Sequence, residues 1–167
     1  AVKQLVALGY IEPPNEDVDK AVAETVRELH YNVARSYMDA GRHAEAVPYL
    51  EDLVAEWPAE TRFAMHLIEC LQALGRLERS REVLEAAVKA RIEDAKQARE
   101  ELKKWQEEHP DQKAEDLEEK EQHRLRKLHG RTDAGAAAFM MVQGTQLLAE
   151  GRLEEALAVF EKLGQVS

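Results

Sequence analysis

Six histidines, one cysteine and a scatter of acidic pairs are the residues of this chain whose types could support metal or nucleophilic chemistry. A helical zinc site needs two histidines one turn apart, and a hydrolytic one adds a glutamate between them. His30, His43, His66, His109, His123 and His129 provide no such pair, and Cys70 has no cysteine partner. His43 falls in a turn, where exposure is expected, and His66, beside Met65, reads as a surface histidine with a peptide contact as the alternative. His109, His123 and His129 fall in or beside a densely charged stretch. Cys70 has no local motif, and small buried packing is the usual role of such a residue. The glycines form no phosphate-cradling run, and Glu154 and Glu155 fall on a predicted solvent face. These patterns imply no catalysis, no metal and no cofactor.

The elements that would position any functional residue are legible from an internal repeat. AGRHAEAVPYLEDL from Ala40, LGRLERSREVLEAA from Leu74 and EGRLEEALAVFEKL from Glu150 align on Gly41, Gly75 and Gly151. The first two glycines are 34 residues apart and the next gap is 76, one repeat plus an insertion of 42. The same offsets carry Ala46 onto Ser80 and Ala156, and Leu50 onto Leu84 and Phe160. Each glycine separates two stretches of helical periodicity, so each marks a tight turn between antiparallel helices. The small residues let the second helix approach the first, and Leu50, Leu84 and Phe160 fill the space one turn later. Ahead of the turns, Val33, Ala34 and Tyr37 match Leu67, Ile68 and Leu71, then Gln143, Gly144 and Leu147. Pro58 ends the first unit, because proline cannot continue its helix.

Flanking these units, Pro13, Pro14 and Asn15 break the chain after the apolar segment QLVALGYI at 4–11. Val18, Val22, Val26, Leu29 and Val33 then recur at helical spacing, so the first helix starts near Asp17. Between Lys89 and Arg131 lie 12 basic and 12 acidic residues, which leaves the net charge of −10 on the rest of the chain. Ile92, Ala95, Arg99, Leu102 and Trp105 or Gln106 continue the preceding helix. His109, Pro110 and Asp111 form a turn, and Leu117, Leu125 and Leu128 return antiparallel. The expectation is a helical hairpin arm with legs of about 18 residues, or ~27 Å at 1.5 Å per residue. A charged, partly disordered linker is the alternative.

With 34% charged and 5% aromatic residues, the composition suits exposed amphipathic helices. The acidic balance argues against affinity for the phosphate backbone of nucleic acid and favours a basic or apolar partner. No apolar run approaches the roughly 20 residues that span a bilayer. A lone cysteine excludes an internal disulfide framework without fixing the compartment. The chain begins at Ala1 without an initiator methionine and reads as a piece of a longer protein.

These residues resemble the tetratricopeptide-repeat (TPR) family, whose unit is a 34-residue helix-turn-helix. The resemblance covers 27–58, 61 to about 92, and 137 to the C-terminus. It departs at Ile68, where a small residue is usual, at Gln143, which replaces an apolar one, and in the missing proline after repeat two. It implies an all-α TPR solenoid, a right-handed superhelix, interrupted by the charged helical hairpin arm. The expected organisation is an N-terminal linker at 1–16, repeats one and two at 17–92, the insertion at 93–131 and repeat three at 132–167. His30 takes a position the family gives to an apolar or aromatic residue, which implies half-buried packing.

The family's concave wall is built from the first helix of each repeat. Carried over residue by residue, its groove positions are Glu28, Tyr31, Arg35 and Met38, then Arg62, Met65, Glu69 and Gln72, then Met141, Thr145 and Leu148. The implied function is a non-catalytic scaffold binding an extended or helical peptide with apolar anchors, fixed by Arg35 and Glu69. Tyr31→Ala with Met65→Ala is expected to abolish capture and leave helical content unchanged. The family's clamp for acidic chaperone tails needs paired lysines and asparagines, and Tyr31 and Arg35 stand at two of those places.

Two alternatives belong to other classes. LVALGYI at 5–11, two prolines and an acidic helix resemble the C-terminal end of bacterial sulfatase-like or alkaline-phosphatase-superfamily enzymes with TPR tails. That would make the chain the non-catalytic tail of a hydrolase, periplasmic or extracellular; otherwise it would be cytoplasmic. The other alternative is self-association, a homodimer through the uncapped third repeat, where Met141 and Leu148 lie near an open edge.

Overall fold

The computed structural model describes residues 16–110, 117–133 and 135–166. The apolar segment at 4–11 and Asp111 of the expected turn lie outside the described residues. Among these residues there are seven helices and no strand: α1 Glu16–Asp39, α2 His43–Glu56, α3 Thr61–Ala73, α4 Leu77–Glu108, α5 Glu119–Arg131, α6 Ala136–Ala149 and α7 Leu153–Val166. They stack as the helix pairs α1/α2, α3/α4 and α6/α7, with α5 laid along the far end of α4.

One turn is used three times. Gly41, Gly75 and Gly151 have φ of +70°, +70° and +75°. In each, the glycine N–H donates to the carbonyl three residues back and the following arginine N–H to the carbonyl five back. Only glycine takes that left-handed backbone without a Cβ penalty, so the spacing of the glycines fixes the spacing of the hairpins. Behind each turn the small residue is wholly buried, at Ala46, Ser80 and Ala156.

Repeats one and two share a core of Leu50, Leu53, Phe63, Ala64, Leu67, Ile68 and Leu71. Ile68 fits there fully buried in place of the usual small residue. Repeat three adapts the other way, because the Phe160 ring occupies the space over Gly144. A Cβ on Gly144 would fall within 3.0 Å of three atoms of that ring.

Pro58 stops the chain from continuing α2, whose last residue is Glu56. No proline closes repeat two, and α4 runs on for 32 residues, ~48 Å at 1.5 Å per residue. Its distal half is the first leg of the arm, and α5 returns along it in 13 residues. The seam buries Ala95 and Ala98 together with Leu125 and Leu128. Ile92 and Arg99, which share the three-four spacing that continues this helix, are exposed, and the alanines make the close helix approach. A polar clasp holds the base of the arm. Asp94 accepts from Arg91 at 2.7 Å and Arg131 at 2.6 Å, Arg91 donates to the Asp133 carbonyl at 2.6 Å, and Arg99 donates to that of Thr132 at 2.7 Å.

Two histidines differ from their expected settings. His30 is exposed, touching Tyr49 edge-on, because no helix pair lies outside α1 among the described residues. His43 is half-buried, with Nδ1 enclosed at the start of α2.

Candidate functional site

The first helices α1, α3 and α6 form the wall on which the candidate groove residues fall. Between α1 and α3 three of them are drawn into one cluster. Tyr31 is only 8% exposed, its ring edge-on to Phe63 at 5.1 Å and stacked on His66 at 5.5 Å. Its hydroxyl lies 3.2 Å from His66 Nδ1. Arg62 covers both aromatic rings at 4.8 and 4.7 Å, and its guanidinium donates twice to Glu28, one repeat earlier. The hydrogen bonds from Arg62 hold the Glu28 carboxyl below its usual range against a smaller opposing effect of burial. This cluster joins repeat one to repeat two, which is what planar arginine and aromatic faces do well.

Between α3 and α6 the joint is polar. Gln146 is 3% exposed and all of its amide is used. Its Oε1 accepts from Ser80 at 2.7 Å and Gln72 at 2.8 Å, and its Nε2 donates to the Leu77 carbonyl at 3.0 Å and to Glu150 at 2.7 Å. Glu150 also binds Arg81 and Arg152. The hydrogen bond from Gln146, and then those from the two arginines, push its pKa down to about 2. Gln146 and Glu150 escape sequence reading, because only their placement against Ser80 and Arg81 gives them a role.

Of the eleven candidate residues, Glu28, Tyr31, Arg62 and Gln72 thus make contacts between repeats. Met38 and Met65 are half-buried and pack against the core. Arg35, Glu69, Met141, Thr145 and Leu148 are exposed on the wall. Thr145 turns its hydroxyl back to the Val142 carbonyl at 2.8 Å. Arg35 and Glu69 make no ion pair among the described residues, yet both act on the charge of His66. Charge of each sign therefore flanks the half-buried methionines and His66. Burial, the largest influence, pulls the His66 pKa down. Cys70 behind the wall is fully buried, and its thiol is pushed up to about 11 chiefly by desolvation, which removes it from nucleophilic chemistry.

A concavity not anticipated from the sequence opens beside α6. It is a cleft of about 1260 Å³ between α4, α6 and α7, lined by Leu84, Val88, Ile92, Phe139, Leu147 and Val159. At the corresponding positions between repeats one and two, Leu50, Phe63 and Leu71 are 0%, 0% and 1% exposed, against 6%, 7% and 7% for Leu84, Phe139 and Leu147 in the cleft. Among the described residues no three metal-ligating side chains converge, and no helix is long and apolar enough to cross a membrane.

Comparison with protein families matches residues 31–97 to the tetratricopeptide repeat. Comparison with the curated proteins and with the solved structures gives no match.

Proposed function

Because the chain is a tetratricopeptide-repeat protein over residues 31–97, and such repeats generally mediate protein–protein interaction without chemistry of their own, we propose that it is a scaffold that takes a peptide on the wall of α1, α3 and α6. One observation carries this reading. Arg35, Glu69, Met141, Thr145 and Leu148 stay exposed along the first helices, while the neighbouring polar residues are spent on joining the repeats. An exposed cation and anion beside methionine surfaces favour an extended or helical peptide with apolar anchors and one charge of each sign.

The test is selection of peptides from a random displayed library, followed by affinity measurement on Arg35→Glu, Glu69→Arg and Met141→Ala. These side chains are exposed, so circular dichroism is expected to stay unchanged in all three. Affinity is expected to fall at least tenfold in each. Selected peptides whose affinity ignores all three changes would place binding away from this wall.

A further inference from the structure

The outer face of α1 carries an apolar stripe that nothing covers among the described residues. Val18, Val22 and Val26 are 55%, 56% and 43% exposed, and Leu29 and Val33 continue the row. Isolated exposed valines are ordinary, but a row along about four turns of one helix face marks a docking surface.

The junction of α2 and α3 supplies the template for what docks there. Setting Pro13 on Pro58, an offset of 45 residues, places Glu16, the first residue of α1, on Thr61, the first residue of α3. This offset is 11 residues, about three turns, longer than the 34-residue repeat that sets Val33 and Tyr37 on Leu67 and Leu71, so it compares the same helix face three turns earlier. At it Val18, Val22 and Val26 fall on Phe63, Leu67 and Leu71, and Leu5 and Leu8 fall on Leu50 and Leu53. Across Pro58, α2 packs on α3, and all five template residues belong to one buried cluster. Phe63, Leu67 and Leu71 are 0%, 1% and 1% exposed there. The helix start, the proline and five apolar positions thus coincide in a single sequence register, and residues 1–15, which hold both the covering segment and the prolines, lie outside the described residues. Residues 5–11, LVALGYI, contain no charged side chain, as a segment seated on a row of valines requires.

We propose that the Val18–Val22–Val26 face of α1 is the docking site for residues 5–11 of the same chain. In the template, Leu50 and Leu67 lie symmetrically about the connection, and the matching pair is Leu5 with Val22. The inference is independent of the peptide-binding wall, which lies on residues of α1, α3 and α6 outside this stripe.

Disulfide trapping of the whole chain tests it. Leu5→Cys combined with Val22→Cys is oxidised and run on a non-reducing gel, with Leu5→Cys combined with Lys20→Cys as the control. Lys20 is exposed and sits about 200° round the helix from Val22 at 3.6 residues per turn. Cys70 is buried and does not compete. The expected result is a fast-migrating monomeric disulfide in most of the Val22→Cys chains and at least fivefold less in the Lys20→Cys control. A disulfide-linked dimer would assign the stripe to a second copy, and equal or absent trapping in both pairs would overturn the proposal. Leu5→Asp with Leu8→Asp provides a readout that needs no new cysteine. It is expected to raise amide exchange in the first three turns of α1 at least tenfold while leaving α3 unchanged, and unchanged exchange in α1 would count against the docking.

Discussion

Gln146 Oε1 accepts a hydrogen bond from the Ser80 hydroxyl at 2.7 Å, and both side chains are shut away from solvent where repeat three meets repeat two. Ser80 takes the small-residue position of its repeat, so the packing rule that calls for a small side chain also leaves a hydroxyl to be satisfied. Gln146 satisfies it from the next repeat.

Gln146→Leu is therefore expected to cost about 1–3 kcal/mol, the penalty of leaving the buried Ser80 hydroxyl without its partner. In a solenoid the loss falls on one interface, because each repeat contacts only its neighbours. Hydrogen exchange is expected to quicken in α6 and α7 and to hold steady in α2 and α3. A uniform change across all helices would contradict this assignment.

Tyr31 behaves as a core residue in this fold. Tyr31→Ala is expected to destabilise the first two repeats by about 3 kcal/mol or more, in the range of large-to-small aromatic truncation. Tyr31→Phe, which loses only the contact with His66, is expected to cost about 1 kcal/mol. Urea denaturation separates the two. A Tyr31→Ala, Met65→Ala double variant thus tests folding before it tests binding, and Arg35 and Glu69 are the cleaner probes of the wall.

His66 gives that joint a pH dependence. Burial holds its pKa below the ordinary 6.5, and Arg35 and Arg62 act the same way, while Glu69 and Asp39 oppose them. The unfolded chain then binds the proton more readily, so stability is complete above about pH 6.5 and is lost as the pH falls through the lower folded value. Urea midpoints between pH 7.5 and 5 are expected to decline in the wild type and to flatten in His66→Gln. Parallel declines in the two proteins would remove His66 from the account.

Gly144 and Phe160 form a matched pair in repeat three. Gly144→Val is expected to destabilise α6 and α7 by about 1–3 kcal/mol through overpacking against the ring. Adding Phe160→Leu is expected to recover at least half of that loss. A double variant as unstable as the sum of the two singles would show that the ring is not the obstacle.

The clasp at the base of the arm is open to the same kind of test. Asp94→Ala removes the acceptor shared by Arg91 and Arg131 and is expected to loosen α5 by about 1.5–3 kcal/mol, the range for hydrogen bonds to charged groups. Limited proteolysis is expected to cut near residues 117–133 first, with α1, α2 and α3 resistant. Unchanged cleavage rates would show that Ala95, Ala98, Leu125 and Leu128 hold the arm without the clasp.

The sequence by itself determined the helix pairs. Three glycines in register, each followed by a small residue and then a large apolar one, leave one way to turn and pack. These are local requirements of backbone and side-chain size, readable from spacing alone. It also located the first residue of α1 to within one position and the end of α4 before His109. Tertiary structure alone decided which wall residues are free. Glu28 and Arg62, Tyr31 and His66, and Gln72 and Gln146 lie 34, 35 and 74 residues apart, and no local pattern announces those pairings. The seam of the arm was decided in the same way, by alanines whose value lies in letting α5 approach. The cleft beside α4 depends likewise on how α6 and α7 dock against α4. Spacing fixes what one helix offers, but burial and hydrogen bonding depend on what a second helix brings to the same place.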